Sequence, residues 1–289
     1  MTNLNISAIG FGCMKASFDQ PDQATRQSTI EALHYALDHG VTLFDTADIY
    51  APTWDAFGHN ERLVAEAMAT HPLGKSAIIA TKAGITRKPG EVWGRNASLD
   101  YLLRAVEASA GRLGVERIAL WQHHRLDPNM PFEQQLENLA GLKQRGLIEH
   151  IGVSNYSAIQ LRRAIEVIGP IATVQNQLSL AYRQDLDVLE VCEQHGIKYL
   201  PWSPMIGAHP KDASPELKAY SDAHGASTYA VAVAWLKSLS PAIVPLPGVT
   251  RVESAADAIS GLSLKLNGEV PLGPSRPMDA ELMSDQPKN

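Results

Sequence analysis

The stretch Thr42-Leu43-Phe44-Asp45-Thr46-Ala47-Asp48-Ile49-Tyr50 decides how this chain is read. Its β-branched and apolar start reads as a buried strand, and that strand ends on a carboxylate with a tyrosine in the loop beyond it. An ionised Asp taken out of water costs several kcal/mol, roughly, unless a cation or several donors meet it. Asp45 therefore needs a partner, and Lys82, at the end of the next strand-like run, is the candidate.

Outward from this stretch, apolar β-like runs alternate with amphipathic helical segments, the pattern that gives parallel strands joined by crossover helices. Strands are expected at Ile6–Gly12, Val41–Asp45, Ala77–Lys82, Ile118–His124, Ile151–Ser154, Thr173–Gln175, Lys198–Trp202 and Ile243–Leu246. Helices are expected at Gln23–His39, Asn60–Ala69, Leu99–Leu113, Pro131–Arg145, Ala158–Val167, Leu186–His195 and Tyr229–Ser238. Three helix ends, at His39-Gly40, Arg145-Gly146 and His195-Gly196, pair a basic side chain with a glycine suited to a left-handed cap before apolar sequence resumes.

Eight such units argue for an α/β fold of the parallel eight-stranded (β/α)8 TIM barrel type over an open doubly wound sheet. Asp45, Lys82, His124, Ser154-Asn155, Gln175 and Trp202 all fall at C-terminal ends of predicted strands, the face where such a barrel carries its active site. Gly10-x-Gly12 after the first strand lacks the third glycine of a dinucleotide fingerprint, because Lys15 stands there, and no P-loop occurs. Residues 1–266 read as one barrel domain and residues 267–289, rich in Pro and Gly without helical period, as an extended or partly disordered tail.

Composition narrows the partners. The 289 residues are 45% apolar, enough for one large core, and carry a net charge of −6 with basic residues scattered along the chain. A clustered basic footprint for nucleic acid or anionic membrane is missing, so a small-molecule partner is expected. No apolar run approaches the roughly 20 residues that span a bilayer, and the start of the chain does not read as a signal segment. A cytoplasmic protein is expected, with Cys13 and Cys192, far apart and outside any metal spacing, packed as reduced thiols. Histidines are present, but no ligand spacing for a metal hydrolase is recognisable.

At one barrel face, Asp45, Tyr50, Lys82 and His124 make a chemical unit. A lysine kept charged by Asp45 favours phenolate and is expected to lower the tyrosine pKa from about 10 toward the range of a general acid. Tyr50 then protonates a carbonyl oxygen as it becomes an alkoxide, and a nearby histidine donates a hydrogen bond to the same oxygen. Such a site needs no nucleophile, which suits hydride transfer. Taken singly these residues have plainer readings: Asp45 as a cap, Lys82 as a snorkelling lysine, Ser154-Asn155 as a turn, Gln175 as a satisfied amide, Trp202 as a core aromatic.

Several separated motifs resemble the aldo-keto reductase family, over about Ile9 to Leu266: IGFGCM from Ile9, LFDTADIY ending at Tyr50, GHNERLVAEAM from Gly58, IATKAG around Lys82, WQHHRLDP through IGVSNYS, ATVQNQLSL, YLPWSPM, and PLPGVTRVESAADAI from Pro245. The resemblance implies a catalytic tetrad of Asp45, Tyr50, Lys82 and a histidine. His123 and His124 point to opposite sides of a strand, so only one faces the tetrad. The family's histidine precedes an R-x-D-P segment, which here follows His124.

The resemblance further implies NADPH, with NADH possible, bound across the barrel mouth. Ser154, Asn155 and Gln175 match residues that hold the nicotinamide carboxamide, and Trp202 matches an aromatic that stacks on its ring. Ser203 and Met205 fall in the loop that crosses the pyrophosphate. Gly248, Thr250 and Arg251, at the start of the last helix, match an anion site for the adenine end. Trp54, Phe57 and Trp93 are candidate pocket walls, with core or loop packing as the alternative. Departures gather around the substrate: Leu178 replaces a common aromatic, Ala51 a common glycine, and Glu253-Ser254 stand where an arginine often meets the 2′-phosphate. The expected activity is reduction of an aldehyde or ketone, with an imine or conjugated double bond, or a nicotinamide-binding sensor without turnover, as alternatives.

Overall fold

The computed structural model describes residues 4–18 and 22–276. In chain order the strands are β1 (Gly10–Gly12), β2 (Leu43–Asp45), β3 (Ile78–Ala83), β4 (Ile85–Lys88), β5 (Val92–Arg95), β6 (Ile118–His123), β7 (Ile148–Ser154), β8 (Thr173–Gln175) and β9 (Lys198–Tyr199). The helices are α1 (Lys15–Phe18), α2 (Gln23–Asp38), α3 (His59–Ala69), α4 (Leu99–Leu113), α5 (Phe132–Gln144), α6 (Ala158–Ile168), α7 (Leu186–His195), α8 (Pro215–Ala223), α9 (Thr228–Leu239) and α10 (Val252–Ser260). Seven strands form one parallel sheet in the order β1-β2-β3-β6-β7-β8-β9, curled so that its edges approach each other.

Residues 242–248 close the ring between those edges. Tyr199 N donates to Ala242 O at 3.0 Å and Val244 N to Tyr199 O at 2.8 Å on one side; Gly10 N donates to Pro245 O at 3.0 Å and Gly12 N to Pro247 O at 2.9 Å on the other. The expected eighth strand, Ile243–Leu246, therefore lies where a barrel needs it, yet it pairs only through isolated bridges, Tyr199 to Ile243 and Gly12 to Gly248. The reason is chemical. Pro245 and Pro247 have no N–H, so along β1 this stave donates only past them, from Val249 N to Gly12 O at 3.3 Å, and a continuous ladder cannot form.

Strand alternation sorts the core. Phe44 and Trp121 point outward into the apolar layers beneath the helices, while Leu43, Ala80, Leu120, Ala172, Leu200, Val244 and Leu246 fill the barrel axis. Gly10 belongs to that axis: a Cβ there would lie 2.8 Å from Leu246 Cδ2 and 2.9 Å from Leu43 Cδ2. Two residues beyond Leu43, Ala80 and Leu120 on the same faces come Asp45, Lys82 and Gln122, so a polar layer caps the apolar one at the C-terminal end of the barrel.

Several expected bounds shift. β1 is shorter than Ile6–Gly12, β7 starts earlier than Ile151, and β9 stops at Tyr199 instead of Trp202, because Pro201 interrupts the run. The expected caps form, with Gly40, Gly146 and Gly196 at φ of 79°, 73° and 67°. Features that were not anticipated are helices α1 and α8 and the antiparallel β4–β5 hairpin, whose pairing runs from Ile85 with Arg95 to Lys88 with Val92. The hairpin signal is Pro89-Gly90 between two short alternating runs.

Residues 267–276 carry no helix or strand and lie along the segment before α7: Arg276 N donates to Ala181 O at 2.7 Å and Arg183 Nη2 to Gly273 O at 2.7 Å. The remainder of the expected tail, 277–289, lies outside the described residues. Among the described residues no helix is long and apolar enough to cross a membrane.

Candidate functional site

The polar layer at the barrel mouth is one connected network. Lys82, fully buried on β3, donates to Asp45 Oδ2 at 2.7 Å, to Thr46 O at 2.8 Å and to Tyr50 Oη at 3.3 Å, which uses all three of its protons. The other Asp45 oxygen accepts from Gln175 Nε2 at 2.9 Å and Gln122 Nε2 at 3.1 Å. The charge that ends β2 is thus met by one cation and two amides, which makes its burial tolerable. His124 follows β6 on the inward face, with its ring 5.8 Å from that of Tyr50, edge to face. His123 points the other way, into the helix-side core, where its Nδ1 meets Tyr156 Oη at 2.9 Å.

Burial sets the protonation states. It pushes the Tyr50 phenol above its ordinary range, and the opposing pull of Lys82 does not outweigh it. This corrects the expectation of a net-acidified tyrosine: in the resting site Tyr50 holds its proton. For Lys82, burial works against the ammonium, but Asp45 and the Tyr50 oxygen outweigh it and hold its pKa above the usual lysine value. Burial, helped by the positive charges of Lys82 and Arg125, drives His124 well below an ordinary histidine, so its ring is neutral. Burial likewise brings His123 down to about 4.

These two histidines predict acid lability. Below pH about 6.5 the unfolded chain takes up protons that the folded one refuses, so the stabilisation is complete above that pH and drains as pH falls, for His123 until about pH 4. His123 alone accounts for about 3 kcal/mol across that window. Urea midpoints should fall steeply between pH 6.5 and 4.5, and less steeply in His123→Asn; equal slopes for the two proteins would contradict this account.

The nicotinamide-side candidates also converge. Ser154 Oγ donates to Gln175 O at 2.8 Å, Asn155 Nδ2 to Ser154 Oγ at 2.7 Å, and Trp202 Nε1 to Asn155 Oδ1 at 3.0 Å. Asn155 has φ of 60°, which turns the chain sharply after β7. Trp202 is half-buried, and the Arg125 guanidinium stands 5.9 Å from its ring centroid. Gln175 links this group to Asp45, so both sets of candidates share one hydrogen-bonded layer.

The remaining candidates divide. Gly248 bridges to Gly12 and is exposed, with the Lys15 stem 3.6 Å from where its Cβ would stand. Thr250 O accepts from Ser28 Oγ at 2.8 Å, and Arg251 is exposed as the N-cap of α10, which begins only at Val252. Ser203 is exposed with φ of 50°, whereas Met205 packs on the apolar clusters, which accounts for it by packing. Phe57 and Trp93 join Tyr50, Ile49 and Ile85 in one apolar cluster, but Trp54 lies outside it, exposed. Sequence reading missed Phe18, 5.7 Å from the Tyr50 ring, and Arg87, 4.8 Å from Trp93; both come into place only through α1 and the hairpin. It also missed Gln177, on the same face as Gln175, whose buried amide has no partner among the described residues. No group of three or more His, Cys, Asp or Glu among the described residues is arranged to hold a metal ion.

Residues 8–270 match the model of the aldo/keto reductase family. The chain is 32% identical to an uncharacterized oxidoreductase of Schizosaccharomyces pombe, over 92% of this chain and 84% of that one. Among solved structures, the thermostable aldo-keto reductase Tm1743, in complex with the inhibitor epalrestat, is 28% identical and superposes with a TM-score of 0.75, covering 92% of this chain and 93% of its own. An aldo-keto reductase from Klebsiella pneumoniae, in complex with NADPH, is 25% identical with a TM-score of 0.72, covering 91% and 88%. The chain belongs to the aldo/keto reductase family of oxidoreductases, and its fold is the barrel of those neighbours.

Proposed function

We propose that this protein is a cytoplasmic NADPH-dependent reductase of aldehydes or ketones, with Tyr50 as the general acid. The observation that carries the reading is the Asp45–Lys82–Tyr50 chain of contacts, 2.7 Å and 3.3 Å long, beside a neutral His124. A binding module has no need of a buried lysine aimed at a phenol. The residues present fit a nicotinamide dinucleotide: three polar side chains gather beside the half-buried Trp202, and exposed Gly248, Arg251 and Lys15 with half-buried Thr250 offer backbone, cations and hydroxyl for phosphate. The relative from Klebsiella pneumoniae, solved with NADPH, supports the same cofactor. When bound, the cofactor supplies the hydride that the carbonyl carbon receives.

This chain's residues do the rest. Tyr50 gives its phenolic proton to the carbonyl oxygen as negative charge develops there, leaving a phenolate beside Lys82. The ammonium thereby favours the transition state more than the resting phenol, which is why a raised resting pKa is compatible with acid catalysis. His124 Nδ1 is buried without a partner among the described residues, so its single proton is better placed on Nε2, from which it donates to the same oxygen. Phe18, Phe57 and Trp93 keep water from the phenol. In this reading residues 1–266 are the catalytic barrel and 267–289 its tail.

The test is oxidation of NADPH and NADH against a panel of aliphatic and aromatic aldehydes, ketones, imines and conjugated enones, with protein fluorescence quenching as the binding measurement. Turnover of aldehydes or ketones is expected. Quenching without oxidation of either cofactor by any carbonyl would assign a sensor instead.

A further inference from the structure

The residue that follows Tyr50 in the chain is held from above by a hairpin with no part in the barrel itself. Arg87 lies on β4 with its side chain almost fully buried, and its guanidinium addresses two successive carbonyls of the loop just beyond Tyr50: Nη1 donates to Ala51 O at 2.7 Å and Nη2 to Pro52 O at 3.2 Å. Its Nε pairs with Glu91, and the other Glu91 oxygen accepts from Trp54 N at 2.9 Å. The Arg87–Glu91 pair thus grips three backbone groups within four residues of the same loop. Glu91 sits at φ of 60°, an unusual backbone for a non-glycine residue, in the hairpin's turn.

The grip reaches the phenol through side chains as well. The guanidinium carbon lies 5.6 Å from the Phe18 ring centroid and 4.8 Å from that of Trp93, those two rings stack nearly parallel, and Phe18 meets the Tyr50 ring edge-on. On its other flank Tyr50 is tied by Asn60 N, which donates to Tyr50 O at 3.1 Å. Besides the Lys82 contact at its hydroxyl, Tyr50 is thus held through its backbone from α3, while the loop just beyond it is held by the hairpin. A forked, planar donor is required, because a lysine ammonium cannot span two carbonyls and stack on two rings together.

We propose that Arg87, braced by Glu91, is the positioning residue for the reaction: the β4–β5 hairpin clamps the loop after Tyr50 and so sets the distance from the phenol to the carbonyl oxygen. This rests on the reading of Tyr50 as the acid. A displacement of about 1 Å in a reacting group lowers turnover by about 10²-fold, so Arg87→Ala should lose about that factor in kcat with NADPH affinity unchanged. Arg87→Lys should fall between the two, and Glu91→Gln, which keeps the side-chain shape, should lose a smaller factor.

The experiment measures steady-state kinetics with NADPH and an aromatic aldehyde, NADPH binding by fluorescence quenching, and rescue of Arg87→Ala by millimolar guanidinium ion. A drop in kcat at constant NADPH affinity, partly restored by guanidinium, supports the clamp. Wild-type kcat in Arg87→Ala overturns it, as does a parallel loss of kcat and NADPH affinity without rescue. Should Arg87→Ala not fold, Glu91→Gln decides: wild-type kcat there overturns the proposal, and a lowered kcat at unchanged NADPH affinity supports it. Tyr50→Phe, measured alongside, separates the two layers. An inactive Tyr50→Phe with a fully active Arg87→Ala overturns the clamp alone, whereas an active Tyr50→Phe overturns the reading of Tyr50 and the clamp with it.

Discussion

Tyr50→Phe is expected to lower carbonyl reduction by about 10³-fold in kcat while the affinity for NADPH stays at the wild-type value. The substitution removes one oxygen and keeps the ring, so packing against Phe18 and His124, at 5.7 Å and 5.8 Å between centroids, is retained. The Lys82 contact it deletes is the longest of the three that the ammonium makes. Loss of stability should therefore stay near 1 kcal/mol, the ordinary worth of one hydrogen bond. What disappears is the proton needed as the carbonyl oxygen becomes an alkoxide, and burial keeps the His124 ring neutral, so it holds no imidazolium proton to give instead. Stopped-flow or steady-state oxidation of NADPH measures the first effect, and fluorescence quenching the second. Undiminished turnover in Tyr50→Phe would end the proposed mechanism, whereas a variant unable to bind NADPH would point to a structural role for the hydroxyl.

Lys82→Met should combine the largest loss of stability with loss of activity. It strands the Asp45 carboxylate, 5% exposed, with two amide donors and no cation. Breaking one side of a buried pair in this way costs about 3–5 kcal/mol, which corresponds to a drop of roughly 10 °C in Tm. Replacing Asp45 by Asn in the same protein removes the stranded charge, so the double variant should be more stable than Lys82→Met alone. The alkaline limb offers a second reading of the same pair. Lys82 in the folded chain holds its proton more tightly than in the unfolded one, so its contribution is complete below the unfolded value of about 10.5 and is lost as pH rises through the higher folded value. Urea midpoints of the wild type should decline above that pH, and the Lys82→Met protein should lack this component. A double variant no more stable than Lys82→Met would show that the Asp45 charge is not what destabilises it.

Much of the barrel was legible because its signal is periodic and local. Helices α4 and α7 fall on the expected residues, and Gly40, Gly146 and Gly196 mark helix-to-strand corners as read, since a left-handed cap leaves glycine little competition. The candidate site was legible for a related reason. Leu43 and Asp45 share a face by alternation, as do Ala80 and Lys82, so a polar residue two positions beyond an axial apolar one must stand at the barrel mouth. The closing stave was legible as a run at Ile243–Leu246, but not its extension through Pro247 nor its broken ladder, which depend on the donors that Gly10 and Gly12 supply.

The sequence by itself determined the class of fold, the family, and which residue types stand at the strand ends, because strand period, glycine caps and motif spacing are properties of neighbouring residues. Only the tertiary structure decided the state of Tyr50. Whether Lys82 or burial governs the phenol depends on how much water the surrounding elements exclude, and burial prevails. Tertiary structure likewise decided what surrounds that phenol: Phe18 from α1 meets its ring, Arg87 and Trp93 from the hairpin pack on Phe18 in turn, and no local pattern encodes that meeting. The stretch from Thr42 to Tyr50 announced a charge in need of a partner, and the folded barrel added two amides to the lysine that meets it.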